Sequence, residues 1–194
     1  MEKNVAADKT PHESAANGWE LHMWTGKDYS GGGYTYFMKF ANDKVTVSSD
    51  IAPANMKTTS SYDVISDQGP VLTVNTYNEV FHYLAEPSMD DDDGEQQDYE
   101  FVIMRTTNDS IYLRGKKWGN HMVMTRVAES TSWEDEINKI QQMDEGLMRT
   151  FSLVEGNDTL GGVSLGDDRI LTYTDKSGYK KIPYYVSTKG ITLA

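Results

Sequence analysis

The chain has no cysteine among its 194 residues. Disulfides, thiolate nucleophiles and zinc sites built on sulfur are therefore excluded. The sequence also lacks a run of about 18 apolar residues, so no membrane-spanning helix is predicted. The first residues, MEKNVAADK, lack the apolar core of a signal peptide. If the protein is exported, its signal peptide is missing from this sequence.

Basic residues are scarce, with 18 Lys and Arg against 30 Asp and Glu, and the formal net charge is −12. Nucleic acids and anionic membrane surfaces attract basic patches. We therefore expect neither of them as a partner.

Histidines are few, and their positions predict no metal site. His12, His22, His82 and His121 have no metal-ligand spacing. Ser164 lies in a GVSLG segment that matches the nucleophile elbow of α/β-hydrolases, but every histidine precedes it and no helix is predicted after it. We read that segment as a glycine-rich hairpin, and we expect no catalytic residue, no metal and no cofactor.

An acidic stretch resembles part of an EF-hand calcium loop. Asp91, Asp93, Gly94 and Glu100 fall at loop positions three, five, six and twelve, but Met89 stands where the first carboxylate belongs. A solvated acidic loop is the favoured interpretation, with weak calcium binding by residues 90–93 as the alternative.

What the sequence does contain is a repeated alternation of apolar and polar residues with a period of two, which indicates β-strands. Eight such runs, most of them joined by hairpin turns, begin at Trp19, Tyr34, Val45, Tyr62, Val71, Tyr99, Ile111 and His121. This spacing is typical of an up-and-down meander. We predict a mainly β protein with an eight-stranded antiparallel, lipocalin-like barrel, and a β-sandwich is the alternative.

Three short stretches change to a helical period. Residues 10–16 have helix-start signals, and Val80, Phe81 and Leu84 share a helical face that would cap an open end of the barrel. A longer helix is predicted to start at Trp133, with an apolar stripe that packs on the barrel wall. The stripe consists of Trp133, Ile137, Ile140, Met143 and Leu147.

The predicted organisation has four parts: an N-terminal segment with a short helix (residues 1–17), the barrel (18–128), the packing helix (129–149) and a C-terminal β segment (150–194). The last part either adds to the barrel or begins a second domain that is cut off.

Several motifs resemble a family of surface lipoproteins of gut Bacteroidetes that carry a domain of unknown function. They are NGW at 17–19, SDQGPVLT at 66–73, TYN at 76–78, GKK at 115–117, GN at 119–120, and IPY at 182–184 with residues 188–193. The resemblance implies export to the cell surface or periplasm, attachment through a lipidated N-terminal cysteine, and a setting near glycan-uptake genes. That cysteine is missing here, and family members continue well beyond Ala194. The membrane is therefore expected as a partner only through an anchor that this sequence lacks.

Two hypotheses for function follow. The first is a non-catalytic cell-surface binding or accessory module that contacts glycans through Trp24, Tyr112 and Trp118, because flat aromatic faces stack on sugar C–H groups. The second is a barrel that holds a small apolar ligand, with Phe81 near its mouth. Its predicted lining residues are Tyr36, Met38, Tyr62, Phe101 and Met122. An enzyme ranks third, because the sequence contains no recognisable nucleophile and base.

Overall fold

A computed structural model describes residues 8–67, 69–86 and 94–194. Residues 90–93, and with them the hypothesis of weak calcium binding, lie outside the described residues. None of the helices in these three ranges combines the length and the apolar character that a membrane crossing requires.

The larger sheet has nine antiparallel strands and forms a nearly closed barrel. Its strands are β1 (Trp19–Trp24), β2 (Gly33–Ala41), β3 (Lys44–Ser49), β4 (Thr58–Ser61), β5 (Asp63–Ser66), β6 (Pro70–Thr73), β7 (Glu100–Thr106), β8 (Ser110–Gly115) and β9 (His121–Arg126). Their order in the sheet is β4-β3-β2-β1-β9-β8-β7-β6-β5. The mainly β class and a barrel-like architecture are therefore confirmed.

The predicted count of eight strands is wrong because the run predicted to begin at Tyr62 corresponds to β5, and β4 is an additional strand just before it. β4 pairs with β3 and β5 pairs with β6, although only Tyr62 separates β4 from β5. Ser60, Tyr62 and Val64 are all buried, so the inward alternation continues through the bend. Periodicity therefore cannot reveal that the strand changes its partner at this residue.

The barrel interior is one cluster of buried apolar side chains. The five residues predicted to line a ligand cavity all belong to it, namely Tyr36, Met38, Tyr62, Phe101 and Met122. They are between 0% and 3% exposed. Burying such rings and methionines supplies the main driving force for closing the sheet.

Short helices lie beside the barrel core. In α1 (Thr10–Glu13), the imidazole of His12 packs edge-on against the ring of Phe40 at 5.5 Å. In α2 (Glu79–His82), Val80 and Phe81 enter the core. Single 3-10 turns lie at Lys27–Tyr29 and Tyr83–Ala85.

The longest helix, α3 (Trp133–Gly146), lies between the barrel and a second sheet. Ser132 caps its first turn by accepting the Asp135 N–H at 3.2 Å. Trp133 and Ile137 pack with Phe37 in a cluster on the outer side of the barrel wall, while Ile140 joins the core of the second sheet. The predicted stripe is thus shared between two surfaces.

The second sheet is a five-stranded antiparallel half-barrel in sequential order. Its strands are β10 (Thr150–Glu155), β11 (Asp158–Leu165), β12 (Ile170–Asp175), β13 (Gly178–Ser187) and β14 (Gly190–Leu193). Its core contains Val163, Leu165, Leu171, Tyr184 and Val186. Arg169, just before β12, and Tyr185 in β13 contact the barrel at β2 and β1. The division into four parts stays a prediction.

Candidate functional site

A row of three aromatic rings lies on the surface beside α2. The Tyr77 and His82 rings are 5.8 Å apart and nearly parallel, and the His82 and Tyr99 rings are 5.6 Å apart. Tyr77 is 65% exposed and Tyr99 is 45% exposed. We call Tyr77, His82 and Tyr99 the cap ridge.

Local capping places this ridge. The Asn78 side-chain oxygen accepts the Phe81 N–H at 3.0 Å and starts the helix. Because Val80 and Phe81 face the core, His82 is turned toward the surface. The Asn78 N–H donates to His82 Nδ1 at 3.0 Å, and burial lowers the pKa of His82, so the imidazole is neutral at pH 7.

A depression of about 320 Å³ adjoins the ridge at Tyr99. We call it the cap depression. It is lined by Gln97, Asp98, Tyr99, Glu100, Lys116 and Lys117. Hydrogen-bond donors, acceptors and one exposed aromatic ring therefore lie together around one concave surface.

One cation of the depression, Lys116, lies between two carboxylates. Lys116 Nζ lies 2.9 Å from Asp67 Oδ2 and 3.4 Å from Glu100 Oε2, and its hydrogen bond to Asp67 raises the pKa of Lys116. The cation is thus already matched by two carboxylates. The Asp67 and Glu100 side chains remain partly exposed to solvent.

Asp98 holds the adjacent β8–β9 turn. Its Oδ1 accepts the backbone N–H groups of Lys117 at 2.8 Å and Trp118 at 3.2 Å. Its Oδ2 is buried without a hydrogen-bond partner in the described part of the chain, and burial raises the pKa of Asp98. Gln97 joins the depression to the core, because its Nε2 donates to the Phe81 carbonyl and its Oε1 accepts the Tyr36 hydroxyl at 3.2 Å.

A smaller depression of about 210 Å³ lies on another side of α2. Its lining is mostly apolar and includes Ile51, Met56, Val80 and Tyr83. Tyr83 is 62% exposed. Exposed aromatic rings therefore lie on more than one side of α2.

Two of the six site residues predicted from the sequence, Phe81 and Trp118, lie next to the cap ridge or the cap depression. Phe81 lies beneath the ridge, edge-on to His82 at 5.5 Å, and is fully buried. Trp118 is half-buried in the turn that Asp98 holds, and Lys117 Nζ lies 4.5 Å from its ring centre.

Trp24 and Tyr112 lie on the outer wall of the barrel. Trp24 is half-buried against Tyr185 at 5.7 Å and Tyr29 at 6.1 Å. The guanidinium of Arg105 lies 4.0 Å from the Tyr112 ring centre. The Trp24 ring and the Tyr112 ring are therefore each in contact with other protein groups on at least one side.

Tyr36 and Tyr62 lie inside the barrel. The Tyr36 ring meets Phe81 edge-on at 5.5 Å, and the Tyr62 ring meets Phe40 at 4.8 Å. Tyr62 also donates its hydroxyl to Glu13 Oε1 at 2.8 Å. Both rings are thus in contact with neighbouring core side chains.

Sequence reasoning missed Tyr77, His82 and Tyr99. A signal for His82 was present, because the helical face containing Val80, Phe81 and Leu84 leaves His82 on the other side of the helix. The alternation predicts that the sixth strand begins at Tyr99, but β7 begins only at Glu100, and Tyr99 before it is 45% exposed.

Two of the chemistries considered from the sequence, a metal site and a nucleophile elbow, can be compared with the described residues. No cluster of three or more His, Cys, Asp or Glu side chains there is arranged to hold a metal ion. Ser164 lies inside β11, and a turn leads from this strand into β12. The strand-turn-helix geometry of a nucleophile elbow is therefore not formed around Ser164.

Fold and surface together define a mainly β protein built on a nearly closed antiparallel barrel with an aromatic cap. The chain belongs to the family described as Domain of unknown function (DUF4302), whose profile matches residues 1–194. Comparisons with curated proteins and with solved structures gave no match.

Proposed function

We propose that the protein is a non-catalytic binding module whose cap ridge and cap depression bind a neutral glycan. The observation that carries this proposal is the exposed pair Tyr77 and Tyr99, which both contact the His82 ring beside a polar depression. Exposed aromatic rings grouped in this way are a common feature of binding surfaces.

The shape of the site supports a sugar ligand. Tyrosine presents a flat apolar face that can stack on sugar C–H groups, and its hydroxyl remains available for hydrogen bonds. The carboxylates, amide and ammonium around the depression match the mixed donor and acceptor pattern of sugar hydroxyls. A volume of about 320 Å³ is at the lower end of the range for small-molecule sites, which suits one or two sugar rings.

Charge favours a neutral rather than an anionic glycan. The chain has a net charge of −12, and Lys116 already contacts Asp67 and Glu100. An acidic sugar would have to compete with these carboxylates for the same cation.

The proposed setting is the bacterial cell surface. The sequence motifs resemble those of surface lipoproteins of gut Bacteroidetes, in which a lipid anchor would hold the module near imported glycans. An exposed aromatic cap on a small rigid barrel is suited to this accessory role.

The alternative of a small apolar ligand inside the barrel gains no support from the interior packing. The Phe81 ring contacts the Tyr36 ring, with ring centres 5.5 Å apart, and the Phe101 ring, with ring centres 6.3 Å apart. A ligand between them would have to displace these contacts.

An array of neutral and acidic glycans from dietary plants and mucin tests the proposal. We expect the wild-type protein to bind at least one neutral glycan, and Tyr77→Ala and Tyr99→Ala to weaken binding roughly tenfold each, since a stacked ring contributes about 1 kcal/mol or more. Tyr179→Ala is the matched control, because Tyr179 is 60% exposed but belongs to β13. Absence of binding to every glycan, or equal loss in the control, would contradict the proposal.

A further inference from the structure

The two edges of the second sheet differ in how they are protected. β10 forms one edge, and all six of its residues are exposed. Phe151 is 38% exposed, Leu153 42% and Val154 64%. The strand contains neither proline nor lysine. Natural proteins rarely leave an edge strand of this kind without a covering partner.

The opposite side of the sheet has the usual protective residues. The opposite edge consists of β14, which has only four residues, and of the part of β13 that extends beyond β14 and contains Lys180, Lys181 and Pro183. Lysine and proline discourage an added strand through charge and through the missing N–H. The contrast within one sheet singles out β10 as the edge that is open to pairing.

The hydrogen-bond pattern shows which β10 groups face outward. The Leu165 N–H donates to the Arg149 carbonyl at 2.8 Å, and Phe151 then pairs with Val163 and Leu153 with Gly161. In an antiparallel ladder the bonded positions alternate, so residues 149, 151 and 153 direct their backbone groups to β11. Thr150, Ser152 and Val154 therefore direct their N–H and C=O groups to the open edge.

The irregularity between β10 and β11 leaves this alternation intact. Leu153 pairs with Gly161 but Val154 pairs with Thr159, so the extra residue is Leu160 in β11. The bulge therefore lies in β11, and β10 itself remains regular.

We propose that β10 pairs with β10 of a second copy of this chain, antiparallel and with Ser152 opposite Ser152. In this register Thr150 lies opposite Val154 of the second copy, and all three pairs formed by residues 150, 152 and 154 have outward-facing backbone groups. The two five-stranded sheets become one ten-stranded sheet with two-fold symmetry.

Side-chain complementarity selects this register. Phe151 lies opposite Leu153 of the second copy, which places an aromatic ring against an aliphatic side chain at both symmetric positions. Arg149, which already contacts Asp144 of its own chain at 3.0 Å, lies opposite Glu155 of the second copy, so oppositely charged side chains face each other at both ends. A shift by one residue would mismatch the backbone groups, and a shift by two would separate Phe151 from Leu153 and Arg149 from Glu155.

Net charge opposes the association and gives it a salt dependence. Each copy has a net charge of −12, so two copies repel each other at long range. Added salt screens this repulsion over about 10 Å at 0.1 M. The dimer should therefore become tighter as ionic strength rises, although salt weakens the attraction between the oppositely charged side chains at its two ends.

Sedimentation velocity on the purified chain tests the proposal. We expect a reversible dimer at concentrations on the order of 100 µM, as suits a small interface. Ser152→Pro should give a monomer, because it removes an outward N–H while leaving the β10–β11 ladder intact, and Leu153→Lys should do the same. Tyr179→Lys, also an exposed apolar position of this sheet, is the control and should dimerise normally.

A cysteine trap tests the register. The natural chain has no cysteine, so Ser152→Cys introduces a single thiol, and a hydrogen-bonded antiparallel pair brings the two Cα atoms to about 5.5 Å, within the range of a disulfide. Mild oxidation should cross-link Ser152→Cys but not Lys180→Cys, and adding Leu153→Lys should abolish the cross-link. A wild-type monomer at the highest concentration and salt, or a dimer that survives both Ser152→Pro and Leu153→Lys, would overturn the proposal without affecting the glycan site.

Discussion

Arg169 Nη1 lies 2.7 Å from Asp50 Oδ2, and both side chains are buried where the second sheet meets the barrel. The same Nη1 donates to the Gly33 carbonyl at 2.9 Å, and Nη2 donates to Asp144 Oδ2 at 3.3 Å. The guanidinium also lies 4.7 Å from the Tyr34 ring centre. One arginine thus joins the barrel, α3 and the turn before β12.

Replacing this arginine should destabilise the protein strongly. Arg169→Met leaves Asp50 buried without its cation, and burial already raises the pKa of that carboxyl group. Removing one partner of a buried pair costs about 3–5 kcal/mol. Urea unfolding followed by circular dichroism measures the loss.

Arg149→Met is the matched control for this change. Arg149 also contacts Asp144, at 3.0 Å, but its side chain is 41% exposed. An exposed pair contributes about 1 kcal/mol or less. Equal losses in the two variants would show that the buried pair has no special role.

His12 should make the protein less stable in mild acid. Burial lowers the pKa of His12 from 6.5 to about 4, and neither ring nitrogen has a hydrogen-bond partner among the described residues. The unfolded chain therefore binds a proton at a higher pH than the native state does. Between pH 7 and pH 5 this residue should remove about 2 kcal/mol of stability.

The His12→Gln variant isolates that effect. The variant lacks the titrating group, so its free energy of unfolding should fall by less than that of the wild type over the same pH range. Burial also lowers the pKa of His22 to about 4, so His22 contributes a decline of the same sign that remains in both proteins. Parallel pH profiles for the two proteins would contradict the assignment to His12.

Gly115→Ala should disturb the turn that borders the cap depression. A Cβ atom at Gly115 would lie 1.8 Å from Asp98 Oδ2, so the carboxylate must move and weaken its bonds to Lys117 and Trp118. We expect a loss of roughly 1–3 kcal/mol. Gly146→Ala in α3, where the added Cβ would meet no atom within 4 Å beyond its own turn of the helix, should be nearly neutral or slightly stabilising by thermal unfolding.

Phe81→Ala and Tyr77→Ala should separate a core ring from a surface ring on the same cap. Phe81 is fully buried, so its removal should cost about 3–5 kcal/mol. Tyr77→Ala should change stability by less than about 1 kcal/mol, because the ring is 65% exposed. A stable Phe81→Ala protein that binds an apolar dye more weakly than the wild type would favour a ligand cavity instead.

The strand pattern was predictable because buried strands impose a period of two on the sequence. The runs at Trp19, Tyr34 and Ile111 show it clearly, and the apolar stripe from Trp133 gives the helical period of α3 with equal clarity. In each case the period shows which face of a single strand or helix is buried, and no information about distant residues is needed to recognise it.

Relationships between distant residues were not predictable. Arg169 and Asp50 are 119 positions apart, and no local sequence pattern around either residue indicates that the two side chains are in contact. The partner change at Tyr62 preserves the alternation, and the position of Tyr99 depends on where β7 begins. Each of these features is set by tertiary contacts rather than by neighbours along the chain.

The bend at Tyr62 divides the barrel into two runs of strands that pair in chain order, β1 to β4 and β5 to β9, and in the described ranges β1 with β9 is the one barrel pairing between strands that do not follow each other along the chain. Each run joins strands that follow each other along the chain, whereas joining β1 to β9 must overcome the entropy of closing a much longer loop. This last junction should therefore form late in folding, and the sites on either side of it should become ordered at different times.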